Sequence, residues 1–81
     1  MSHTPHEIVE EFPEHVALIH SLKQSDSHFA RLLGEYHEVN GAVHRAETQV
    51  EPTSDSHEQE MRRTRLRLKD EINAMLTAAA A

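Results

Sequence analysis

The sequence predicts an all-α protein: an antiparallel, coiled-coil-like helical hairpin with an additional N-terminal helix. Three observations carry this reading. Breakers are scarce, with two Gly and three Pro in 81 residues, which favours long helices over a many-turned β fold. Apolar residues recur at spacings of 3 and 4 from Phe29 to Val50, the a/d pattern of a helix seam. A second seam runs from Met61 to Met75 after a short segment around Pro52, and so short a loop makes consecutive helices antiparallel neighbours.

Thr4-Pro5-His6-Glu7 has the form of a helix start. Thr4 suits the N-cap, Pro5 the first helical position, and Glu7 completes a capping box. Ile8, Val9, Phe12, Val16, Ile19 and Leu22 follow at helical spacing, so the N-terminal helix is expected over about 5–24. Pro13 ends a first short turn inside it and begins a cleaner helix. Ser25-Asp26-Ser27 marks a boundary of good N-caps and poor helix interiors. The apolar phase shifts there by one residue, roughly 100° of rotation, so a bend or break is expected.

The long helix is expected over 26–51, with Phe29, Leu32, Tyr36, Val39, Val43, Ala46 and Val50 on its seam. Asn40-Gly41 is a turn dipeptide in other settings, but the seam continues in phase across it. Glu51-Pro52-Thr53-Ser54 turns the chain, because Pro52 cannot lie in a helix interior. Asp55-Ser56-His57-Glu58 is a second capping signature, with Asp55 or Ser54 as the cap. The last helix is expected over 55–77, with Met61, Arg65, Leu68, Ile72 and Met75 on its seam, and 78–81 as a frayed alanine tail. A turn near residue 53 sets Val43 beside Arg65, Val39 beside Leu68, Tyr36 beside Ile72 and Leu32 beside Met75. The hairpin core is thus Phe29, Leu32, Tyr36, Val39, Val43, Val50, Met61, Leu68, Ile72 and Met75, within a single domain 1–81. A domain of this length buries a limited core, so oligomerisation or a partner is expected.

Composition removes several classes of function. There is no Cys, hence no disulfide, thiolate chemistry or cysteine zinc site. The longest apolar stretch is Val16 to Ile19, far short of a membrane span. The N-terminus is acidic, without the basic and apolar regions of a signal peptide, so the expected location is the cytoplasm. A net charge of -6 argues against nonspecific binding to DNA or anionic membranes.

Phe12-Pro13-Glu14, Leu22-Lys23, His28-Phe29-Ala30-Arg31-Leu32, Glu35-Tyr36-His37-Glu38 and Leu66-Arg67-Leu68-Lys69-Asp70-Glu71-Ile72 occur in an order and at spacings that resemble the YdcH-like family of small bacterial proteins, domain of unknown function 465. The resemblance runs from about residue 8 to 76. It implies a helical hairpin with an added N-terminal helix and no settled biochemical activity. A GTP-binding label attached to some members does not transfer, because this chain has neither a GxxxxGK[ST] loop nor a glycine-rich loop after a strand. The chain departs from the family at Gly34 and Gly41, where polar residues are usual.

Four constellations invite a functional reading. Eight histidines are an excess, yet metal sites on helices favour His pairs at i, i+4. His37 and His44 are seven residues apart, roughly 10 Å along a helix, and His3 and His6 sit near the chain end. The alternatives are solvated positions, a metal site, or a pH response, since these imidazoles would move the net charge toward neutral near pH 6. Arg62, Arg63, Arg65, Arg67 and Lys69 form a basic stretch. It reads either as a patch for nucleic acid or an acidic protein, or as ion pairs within the hairpin, where Arg62 can reach Glu47. Arg65 falls on the seam, where a charge must snorkel or find an acid. Ser27, Gly34, Gly41 and Thr48 form a small-residue stripe opposite the seam, either a groove for another helix or a solvated face.

Phe12, Val16, Ile19, Leu66 and Leu76 lie off the hairpin seam and need cover, from the N-terminal helix folding back or from a second chain. With Gly34 and Gly41 they form the candidate partner surface. No nucleophile, base and orienter stand together, and narrow helices offer no desolvated pocket. No catalytic, cofactor or metal residue is assigned. The expected function is a non-enzymatic interaction protein that self-associates or binds a protein partner through helix faces, with no membrane insertion and no small-molecule substrate. The alternative is a histidine-rich metal- or pH-responsive protein. A weaker one is an adaptor for nucleic acid or an acidic protein through residues 62–69.

Overall fold

The computed structural model describes residues 4–48 and 53–81, and among them every regular element is helical. In chain order these are α1 (Ile8–Glu11), a 3₁₀ turn (Pro13–His15), α2 (Val16–Ser25), α3 (Ser27–Glu47) and α4 (Asp55–Ala80). α3 and α4 form the hairpin, α2 packs on α3 and to a lesser extent on α4, and α1 touches α3.

The boundaries follow local chemistry. Asp26 ends α2 in an extended conformation, with its N–H on the Leu22 carbonyl at 2.8 Å. The same residue caps α3, its carboxylate accepting from the Phe29 N–H at 3.1 Å. Ser54 caps α4 by accepting from the His57 N–H at 3.2 Å. Gly41 sits inside α3 with an ordinary helical φ, so the seam outweighs the turn preference of Asn40-Gly41.

The N-terminal region differs from the expected helix over 5–24. α1 begins at Ile8, and its N-cap is Glu7 rather than Thr4; the capping box joins Glu7 to Glu10. Pro5 and His6 form a turn, and His6 is in the left-handed region at φ 66°. The reason is tertiary: the Tyr36 hydroxyl donates to the His6 carbonyl at 2.6 Å, and the Asn40 amide donates to the Pro5 carbonyl at 2.8 Å. Those carbonyls are used sideways, not along a helix axis. Pro13 splits what remains into α1 and α2 through the 3₁₀ turn.

The other ends also shift. α3 stops at Glu47, before the expected 51, with Thr48 as its C-cap; the Thr48 hydroxyl donates to the His44 carbonyl at 2.9 Å, beside the last helical N–H bond to it at 3.0 Å. Val50 and the turn expected at Glu51 and Pro52 lie outside the described residues. α4 remains helical to Ala80 instead of fraying after Thr77, consistent with alanine being the best helix former.

One core joins all the helices. Ile8, Ile19, Phe29, Leu32, Tyr36, Leu68, Ile72 and Leu76 are buried together, with Phe12, Leu18, Leu22, Leu33, Val39 and Met75 packed against them. Each such Leu, Ile or Phe contributes about 1.5–3 kcal/mol when fully buried. The N-terminal helices therefore cover their own hairpin. Toward the hairpin's loop, Val43 and Ala46 are also buried, while Met61 is half-buried. Leu76, off the seam, is fully buried and Met75 only half-buried, since α4 meets α2 as well as α3 and needs a second apolar flank.

Polar contacts clamp the N-terminal segment. Asn40 is 1% exposed; it donates to Pro5 and accepts from Arg65 Nη1 at 3.0 Å. The seam cation thus finds an amide oxygen rather than an acid. Lys69 Nζ lies 2.7 Å from Glu11 Oε1 and 5.8 Å from the centre of the Phe12 ring, a salt bridge over a cation–π contact.

Replacing Asn40 with alanine leaves the Pro5 carbonyl and the Arg65 guanidinium short of a partner, which costs about 1–3 kcal/mol. Thermal unfolding followed by circular dichroism should show a melting temperature lower by roughly 10 °C. Burial pushes the Tyr36 hydroxyl up to about 12 from 10.0. A folded value above the unfolded one gives stability that is full below about pH 10 and lost as the pH rises toward 12. Tyr36 is the only tyrosine, so its absorbance titration reads the shift directly, and Tyr36→Phe should flatten the alkaline loss of stability. Lys69 and His6 hold the Glu11 carboxyl below its ordinary 4.5, against an opposing effect of burial. That stabilisation is present above pH 4.5 and lost as the pH falls through the depressed value. Urea midpoints measured down the acid range should fall less steeply in Glu11→Gln than in the parent.

Candidate interaction surface

Two clefts flank the clamped N-terminal segment, and their chemistry differs. The first, of about 240 Å³, is lined by His6, Glu11, Tyr36, Arg62, Arg65, Leu66 and Lys69. Its cations already have acceptors in this chain. Arg62 Nη2 contacts Glu47 at 2.9 Å and Glu58 at 2.7 Å, Arg65 donates to Asn40, and Lys69 pairs with Glu11. Arg67 faces Glu71 at 3.9 Å, leaving Arg63 as the exposed remainder of the basic stretch. An incoming anion would have to displace these carboxylates.

The second is an apolar groove of about 480 Å³ between the N-terminal helices and α3. Ile8, Val9, Ile19, Ala30, Leu33 and Gly34 line it, and Glu7, His20, Lys23 and His37 stand around it. Gly34 forms an open floor: a Cβ built there meets nothing within 4 Å. The groove runs on past Glu7, Gly34 and His37 into a furrow of about 420 Å³ that reaches Thr4, Gly41 and Arg45. A Cβ on Gly41 would come 3.2 Å from the flexible head of Arg45. Neither glycine has a positive φ. Each costs about 1 kcal/mol relative to alanine in a helix interior, and no contact within the fold requires Gly34.

The candidate partner residues separate on this geometry. Ile19 and Leu76 are 1% and 0% exposed and belong to the chain's own core; they are withdrawn from the surface, because α2 folds back over the open end of the hairpin. Phe12 is half-buried beneath Lys69. Val16 and Leu66 are exposed, as is Gly34, while Gly41 is half-buried. Of the hairpin residues, Phe29, Leu32, Tyr36, Val43, Leu68 and Ile72 are buried. Val39 is half-buried on a cleft walled by α3 and α4 alone, where no third helix covers it. Sequence reasoning missed Val9 as a groove wall and Lys23 as a rim charge. The phase break at residues 25–27 was the available signal, since it implies that α2 and α3 diverge and leave a gap.

The histidines are dispersed. His37 Nδ1 lies 2.9 Å from Glu7, His6 Nδ1 3.6 Å from Glu11, and His15 Nε2 3.9 Å from Glu14. Among the described residues, no three His, Asp or Glu side chains converge as ligands for a metal ion. None of the described helices is long and apolar enough to cross a membrane.

No curated protein and no solved structure matches the chain. A family model described as a protein of unknown function, DUF465, matches residues 29–76, which takes in most of α3 and α4 but not the N-terminal helices included in the broader resemblance from residue 8. With the hairpin that carries the seam so matched, the chain belongs to the DUF465 family.

Proposed function

We propose that this chain is a non-enzymatic, cytoplasmic interaction module that receives another protein in the groove between its N-terminal helices and α3. One observation carries the reading: an apolar groove floored by Gly34, which no contact within the fold requires. A helix-interior glycine lowers stability, and a backbone left bare at the bottom of an apolar groove permits close approach of a second chain. Glu7, His20, Lys23 and His37 surround the apolar lining, the arrangement of an apolar centre with a polar rim found at protein interfaces. The basic stretch supports a nucleic-acid or acidic-protein role less well, because its charges are largely engaged within the chain.

The test is photo-crosslinking in cells, with a photoreactive phenylalanine derivative in place of His20 on the groove rim or of Glu60 on exposed α4. Position 20 should give a discrete adduct that position 60 lacks. No adduct at position 20, or the same adducts at both positions, would overturn the proposal.

A further inference from the structure

We propose that the occupant of the groove is a second copy of this chain, docked about a two-fold axis so that residues 14–23 of the two copies run antiparallel, Glu14 of each toward Lys23 of the other. The inference rests on the interaction reading above and names its partner. Val9 and Val16, 40% and 38% exposed, are two of the three exposed large hydrophobics among the described residues. Both belong to the short run of chain that walls the groove, and Val9 itself lines it, so this run carries exposed apolar side chains as well as an apolar hollow. A two-fold interface needs such self-complementarity, since the same patch must serve both sides.

The charges of this run are segregated. Its acids, Glu7, Glu10, Glu11 and Glu14, come first, and His15, His20 and Lys23 come last. Glu7 is taken by His37, and Glu11 by Lys69 and His6. Glu14 is 64% exposed with only its neighbour His15 near it, at 3.9 Å, and Lys23 is exposed on the rim. Antiparallel docking brings the acidic end of each copy toward the basic end of the other, twice by symmetry. Parallel docking would set acid on acid. The molecule measures 40 × 27 × 19 Å with 5406 Å² of surface. A standard interface takes about 800 Å² from each partner, roughly 15% of that surface, within the reach of one broad side. A core of this size also gains from burying a further apolar patch.

The experiment is the mass of the purified full chain in solution, by light scattering after size separation, from micromolar to millimolar concentration. The parent should pass from monomer to dimer. Gly34→Leu should stay monomeric with a melting temperature no lower than the parent's in dilute solution, because its side chain enters open space and fills the floor. Lys23→Glu should raise the half-dissociation concentration roughly tenfold, the weakened pair counting twice, and adding Glu14→Lys should bring it back. The proposal is overturned if the parent is monomeric throughout, if Gly34→Leu dimerises like the parent, or if the double reversal does not recover. A monomeric parent that still crosslinks in cells to a different protein at position 20 removes the second copy and leaves the interaction reading standing. A monomeric parent with no crosslink removes both.

Discussion

The buried amide of Asn40 is the constraint around which the N-terminal half is arranged. It lies one turn along α3 from Tyr36, at the level where α3, α4 and the N-terminal segment meet. Its oxygen receives the seam cation Arg65, and its nitrogen holds the Pro5 carbonyl. A buried amide must satisfy both ends or cost its desolvation. Here it does so only when the N-terminal segment lies across α3 in one register. Tyr36 repeats the demand one residue further along that segment, at the His6 carbonyl. The left-handed φ of His6 is what the backbone must adopt to present both carbonyls to α3. Apolar packing would hold the same segment with less regard to register, because it is non-directional.

That fixed register has consequences for the surface. With residues 4–7 pinned at Tyr36 and Asn40, Ile8 drops into the core and Phe12 comes under Lys69. α2 then crosses the open end of the hairpin, where Ile19 and Leu76 bury. Because α2 crosses there, it diverges from α3 along the face that holds Ala30, Leu33 and Gly34, and the gap is the apolar groove. Basic residues on the opposite flank are consumed in holding the fold. Lys69, Arg65 and Arg62 tie α4 to α1, α3 and the end of α3 in turn. The cationic stretch is thus mainly structural, and the apolar groove lies on the other flank.

Much of the architecture was legible in the residues. The 3-4 seam of α3 survived Asn40-Gly41, since the turn preference of one dipeptide yields to several buried side chains worth about 1.5–3 kcal/mol each. The break at Asp26 followed from a cap and a phase shift, both local signals. The start at Thr4 did not hold, although its capping pattern was sound. Its competitor was a pair of side-chain donors some thirty residues away, which local pattern does not register. Arg65, a charge on the seam, meets an amide oxygen rather than an acid. Nothing local to Asn40-Gly41 marks that amide as the acceptor, because its partner lies 25 residues away.

The sequence by itself determined the helices, the antiparallel hairpin and most of its seam, because periodicity, caps and prolines act over a few residues and need no knowledge of what lies across the chain. Only the tertiary structure decided that the N-terminal helices cover their own hairpin, that Ile19 and Leu76 are core rather than surface, and that Gly34 lies open at the bottom of a groove. Each of these depends on which of several apolar faces meet. Hydrophobic burial is non-directional, so several pairings satisfy the same pattern of residues. The choice falls to the few directional contacts, Asn40 to Pro5 and Arg65, Tyr36 to His6 and Lys69 to Glu11, whose partners are adjacent only once the chain has folded.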